Sequence, residues 1–171
     1  MSIFNILFNG TNSPNLKLLL NNESFKNFIS EAEDISIGYS EIRIFRIKNI
    51  QKEQKTHRKT QNEGWKNNWI IIGIDYLDDL LFVDCENQNL PVYISEHENR
   101  KWKMNLIANS IENFRKILSE LKKLSIKREN PNLIDKNPIS ETEFEMFFSK
   151  IKKENEGIDT EYWQLFLEKD I

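Results

Sequence analysis

The chain has 171 residues, of which 39% are hydrophobic and 11% aromatic, enough for one sizeable core, since a domain of this length buries roughly 70% of its unfolded surface. The opening MSIFNILFNGTNSPN has neither a basic head nor a small-residue cleavage site, and no apolar run approaches the ~20 residues of a membrane span, so a cytoplasmic, non-membrane protein is expected. The single cysteine, Cys85, excludes an intrachain disulfide and a cysteine-rich zinc cluster, and the net charge of −3 is unremarkable as a whole-chain sum.

In chain order, Ser13 is suited to cap a helix that starts at Pro14 and carries Leu16 to Leu20. A polar break from Asn21 to Ser24 precedes a second short helix with Phe25, Phe28, Ile29 and Ala32 at helical spacing. EIRIFRI then sets Ile42, Ile44 and Ile47 against Arg43 and Arg46, the alternation of a strand with one wet face. The stretch NIQKEQKTHRKTQNEG reads as a short exposed helix or a loop ending near Gly64.

The middle is rich in strands. WIIIGI and LLFVD are too apolar to lie on a surface, and PVYI follows the polar turn ENQNL, short enough for a hairpin. Trp102 to Ile107 adds a further strand, and a helix capped by Ser110 presents Ile111, Phe114, Leu118 and Leu121 to the sheet. After two proline-bearing turns, Ser140 and Glu143 form a capping box ahead of Phe144, Phe147, Phe148 and Ile151. Gly157 ends that helix, Asp159 caps the next, and Trp163, Phe166 and Leu167 need burial against the body. Trp69, Ile71, Phe82, Val92 and Phe114 are the expected core.

The charges are sorted along the chain. From Asn67 to Asn99 stand Asp75, Asp78, Asp79, Asp84, Glu86, Glu96 and Glu98 with no Lys or Arg, whereas the flanks, Arg43 to Lys66 and Arg100 to Lys123, are basic. Paired carboxylates serve acid–base catalysis or hold a hard cation only where they converge, and no DxDxDG loop is present, so turn or surface duty is the plainer reading. His97 has only His57 as a fellow histidine, without ligand spacing for zinc. Cys85 lies between Asp84 and Glu86, a field that disfavours the thiolate. KEQKTHRKTQ lacks interleaved aromatic residues for base stacking, and the two glycines of the middle, Gly64 and Gly73, are isolated, so neither direct nucleic-acid binding nor a nucleotide loop is expected.

The ordered series Trp69, Ile72-Gly73, Asp75, Asp79, Leu81-Phe82-Val83-Asp84, Pro91-Val92-Tyr93, His97, Trp102, Ile107-Ala108, Ser110 and Phe114 to Leu118 resembles the SUKH superfamily of Smi/Knr-type proteins. The likeness covers about residues 39–121 of a single domain spanning 1–171, with residues 140–170 as a helical extension. Tyr76, Leu77 and Asp78 stand where that family often has a glycine-rich turn.

The resemblance implies an α+β fold with a mixed, largely antiparallel sheet flanked by helices, and a non-enzymatic role without cofactor or metal. Bacterial members are commonly immunity proteins that neutralise a cognate toxin, often a nuclease, while fungal members are regulatory scaffolds, so fold alone does not choose between them. An immunity protein, a regulatory interaction module and a carboxylate-dependent hydrolase are the three readings, in that order. A basic nuclease cleft suits an acidic inhibitor, so Asp75, Asp78, Asp79, Asp84, Glu86, Glu96, His97 and Glu98 are the expected toxin-binding residues, with fields that add at one side of the molecule.

Overall fold

A computed structural model describes residues 14–59, 65–98, 101–158 and 160–168. The expected caps at Ser13 and Asp159, and Gly64, lie outside the described residues. In order come α1 (Pro14–Asn21), α2 (Glu23–Glu31), β1 (Ile35–Ile37), β2 (Ser40–Ile44), α3 (Ile47–Lys59), β3 (Trp69–Asp75), β4 (Leu80–Asp84), β5 (Val92–Glu98), β6 (Lys101–Ala108), α4 (Ile111–Ser125), α5 (Pro131–Ile134), α6 (Glu141–Glu154) and α7 (Glu161–Glu168). The fold is α+β. All five strand pairings are antiparallel and the spatial order is the chain order, β1 to β6, so successive turns alternate between the two ends of the sheet.

The sheet is buried on both faces at its centre, which is why WIIIGI and LLFVD read as continuous apolar runs. One face carries Ile42, Ile70, Leu81, Val83, Val92 and Ile94 into the main core, where α4 packs with Ile111, Phe114, Ile117 and Leu121. The other face carries an aromatic cluster. The Trp69 ring lies 5.0 Å from Phe82, which stacks on Tyr93 at 5.4 Å, and Trp65 covers both Trp69 and Phe82. Every residue expected in the core is buried: Trp69, Ile71, Phe82, Val92 and Phe114.

A bulge between Ile71 and Gly73 decides which face the acidic residue at the end of β3 joins. Residues of a strand alternate faces, and one extra residue reverses the assignment of everything after it. Trp69 and Ile71 lie on the aromatic face, yet Asp75 pairs with the core residue Ile42 and lies on the helix face. Gly73 permits this crossing, since a Cβ there would come within 2.4 Å of the Arg43 carbonyl oxygen.

Helix α6 starts as its capping box predicts. Ser140 and Glu143 make the full capping box, and Glu143 also pairs with the buried Arg128 at 3.0 Å. Helix α6 ends at Glu154, before Gly157, which takes a positive φ in the following turn. Trp163 of α7 is fully buried and its indole N–H donates to the Ile107 carbonyl at 3.0 Å, tying the last helix to β6. Among the described residues no helix is long and apolar enough to cross a membrane.

Candidate protein-binding site

The turn joining β3 to β4 is built around Asp75. Its Oδ1 accepts from the Leu77 N–H at 2.9 Å and the Asp79 N–H at 3.1 Å, while the Asp78 N–H donates to the Asp75 carbonyl at 3.1 Å. Asp78 adopts φ 61°, the left-handed region that short polar side chains tolerate best after glycine. It thereby supplies the reversal at a position where the resembling family often uses glycine. The result is a tight turn that holds Leu77 and Asp78 outward: Leu77 is 56% exposed, and Asp78 makes a surface ion pair with Arg43 at 3.1 Å.

Burial, above all, pushes the Asp75 carboxyl from 3.8 up to about 6. The two backbone N–H donors oppose that rise, and the charges of Asp79 and Asp78 add to it. At 2% exposure Asp75 is not a surface residue, and its place in a toxin-binding patch is corrected: the bulge turns it inward, where it shapes the turn from beneath. Burial, followed by the Asp75 charge, pushes the Tyr162 hydroxyl of α7 well above its ordinary value. The rings of Tyr76 and Phe166 meet edge-on at 6.2 Å across the same seam.

The acidic run does not gather on one side. Asp84 closes β4 at the opposite end of the sheet from Asp78 and Asp79, and there its Oδ1 accepts from the Asn68 amide at 2.7 Å and the Glu86 N–H at 3.0 Å. Glu86 is exposed at that far end. A five-residue strand separates the two groups by about 15 Å. The Debye length in physiological salt is only about 8 Å, so their fields do not add. The expectation of one continuous acidic face is therefore corrected by topology, because turns of a meander alternate ends.

The hairpin of β5 and β6 returns to the Asp78 end, since Leu80 pairs with Ser95 and the strand continues beyond it. Its register sets Glu96 opposite Lys103, His97 opposite Trp102 and Glu98 opposite Lys101, so the acidic positions meet basic ones across the ladder. The side chains of Glu96, His97 and Glu98 lie outside the described residues.

Sequence reasoning missed the apolar part of this end. Tyr39, 67% exposed, stands in the β1–β2 turn, which opens to the same end as Leu77 and Asp78 because Ile42 of β2 pairs with Asp75. Near it Ile126 is 59% exposed, and the Gly38 N–H donates to the Arg128 carbonyl at 2.7 Å, bringing the end of α4 to that turn. The signal in the sequence was an apolar residue inside each polar turn, Tyr39 after Gly38 and Leu77 before Asp78. Large exposed apolar side chains rimmed by charge are the composition of protein interfaces.

Two other features carry no such signature. A cleft of about 490 Å³ among α2, α4 and α6 has an apolar floor, but its walls pair across elements: Arg115 with Glu31, Lys122 with Glu33, Lys150 with Glu120 and Lys116 with Glu154. Those pairs are partly exposed, and each contributes little to stability. Cys85 is buried, and burial followed by the Asp84 charge raises its thiol pKa. Among the described residues no group of three or more His, Cys, Asp or Glu is placed to hold a metal ion.

No protein-family model, curated protein or solved structure matches the chain.

Proposed function

We propose that this chain is a non-enzymatic immunity-type protein that binds and neutralises a cognate protein toxin through the end of the sheet bearing Tyr39, Leu77 and Asp78. The observation that carries the reading is the β3–β4 turn itself. A buried carboxylate and a left-handed aspartate hold an exposed leucine in a tight turn at the same end of the sheet as an exposed tyrosine. A rigid apolar anchor loses little conformational entropy on docking, which is how a small number of side chains dominate binding energy. Glu41, Asp78 and Asp79, offset by Arg43, leave the rim acidic, a character that favours a basic partner surface such as a nuclease cleft. The resemblance to the SUKH superfamily supports the same class of function.

Co-purification with the protein encoded beside its gene tests the proposal. A stable one-to-one complex that suppresses toxicity, with no turnover of the toxin, is expected. Failure to bind that protein, combined with capture of a housekeeping partner, contradicts it in favour of the regulatory module. Metal-dependent hydrolysis by the isolated chain contradicts both.

A further inference from the structure

Among the described residues Arg128 is the only buried basic side chain, and it stands just past α4, hydrogen-bonded to the turn that carries Tyr39. Its guanidinium presents five N–H donors in a rigid plane, and they reach three separate stretches of chain. Nη1 donates to the Leu124 carbonyl at 3.1 Å, one of the carbonyls that the end of α4 leaves without a helical partner. Nε donates to the Asn137 carbonyl at 2.7 Å, and Nη2 lies 3.0 Å from both carboxylate oxygens of Glu143 on α6. Glu143 is itself held by the Ser140 N–H and hydroxyl. The main chain of the same arginine meets the proposed docking end: its carbonyl accepts from the Gly38 N–H at 2.7 Å.

We propose that Arg128 is a positioning residue for docking. Anchored to α4 and α6 by its side chain, it fixes the Gly38–Tyr39 turn against the end of α4, so that Tyr39 and Ile126 are presented together and the binding surface extends from the β3–β4 turn onto α4. This rests on the function proposed above. Both turns have a constrained backbone. Gly38 takes φ 58° and Lys127 φ 62°, and the Lys127 N–H donates to the Glu129 carboxylate at 3.1 Å. The exposed Tyr39 directly follows Gly38, and the exposed Ile126 directly precedes Lys127. The hydrogen bond from Gly38 to Arg128 ties the two turns to each other. Lysine at position 128 would keep the charge but lacks the planar fork, so it cannot hold Leu124, Asn137 and Glu143 at once, and the carbonyl that receives Gly38 loses its fixed aim.

A double-mutant cycle measured with the protein encoded beside the gene, together with amide exchange on the free chain, is the test. Arg128→Lys is expected to lower protection of the Gly38 amide about tenfold with no partner present. It should weaken binding about fivefold in the wild-type background, but less than about twofold where Tyr39→Ala and Ile126→Ala have already removed the side chains it positions. A role confined to stability weakens binding equally in both backgrounds, and that result overturns the proposal, as does Gly38 protection left unchanged by Arg128→Lys. Should Arg128→Lys fail to fold, Glu143→Gln replaces it under the same criteria, since its amide oxygen can still accept from the Ser140 N–H while the ion pair is lost. An additive cycle in which Leu77→Ala still weakens binding overturns the positioning role alone, whereas a wild-type chain that binds nothing overturns the docking function and the positioning role with it.

Discussion

Gln54 completes a strand edge that, among the described residues, no strand covers. Its side-chain amide donates to the Trp69 carbonyl at 2.9 Å, and its Oε1 accepts from the Ile71 N–H at 3.0 Å, so a side chain on α3 substitutes for two ladder bonds. Strand β2 reaches only Gly73 to Asp75 of β3, and without Gln54 the first half of β3 would leave buried backbone groups unpaired. Gln54→Leu, of similar size, is expected to cost about 2–4 kcal/mol in chemical denaturation, the range for two orphaned buried backbone groups. A loss below about 1 kcal/mol would mean that the edge finds other partners.

At Gly73 the limit is steric rather than polar. A Cβ 2.4 Å from a backbone oxygen cannot be accommodated by rotating a side chain, so β2 and β3 must separate locally. Gly73→Ala should destabilise by more than about 2 kcal/mol and weaken protection of the Phe45 amide, which donates to the Ile72 carbonyl at 2.8 Å. A neutral substitution would contradict the bulge geometry.

Removing Phe114 tests the core. Its ring is fully buried and lies 5.8 Å from Phe28 and 6.3 Å from Trp163, linking α2, α4 and α7. Phe114→Ala is expected to cost about 3–5 kcal/mol. Wild-type stability in that variant would show that α4 does not pack as described.

Stability should peak near pH 5. Asp75 has a raised carboxyl, so its contribution is fully present below its unfolded value and is lost as pH rises through about 6. Glu143, held down chiefly by the Ser140 N–H, and Glu112, held down chiefly by its hydrogen bond with Arg115, have lowered values; theirs is present above the ordinary glutamate range and is lost as pH falls. Asp75→Asn, which keeps an acceptor for both turn amides, should flatten the alkaline side of the curve and raise stability at pH 8 by about 1–3 kcal/mol. Unchanged denaturation midpoints between pH 5 and pH 8 in wild type would contradict the assignment.

Local patterns explain why much of the fold is legible in the sequence. Ser110 and the Ser140–Glu143 box mark helix starts through bonds made within three residues, and the apolar runs of β3 and β4 mark strands buried on both faces. What depends on distant partners is not legible. The three-residue strand β1 is too short for a pattern, and Ile47, grouped with Ile42 and Ile44 in the expected strand, begins a helix instead. Helix α3 reads as an exposed polar segment because its amphipathic face is narrow, yet Ile50 and Gln54 are buried. The bulge that turns Asp75 inward leaves no mark beyond a glycine, and so the acidic run reads as one surface when the topology makes it two ends.

Docking of a toxin at one end of the sheet is the function we propose. The binding kinetics of the protein encoded beside the gene with three variants, Leu77→Ala, Asp78→Lys and Glu86→Lys, decide it. Leu77→Ala should raise Kd at least tenfold, about 1.4 kcal/mol, mainly through faster dissociation, and Asp78→Lys should slow association most at low salt. Glu86→Lys, at the opposite end, should bind as wild type does. Wild-type kinetics for Leu77→Ala together with weakened binding by Glu86→Lys would place the interface at the other end of the sheet and contradict the account.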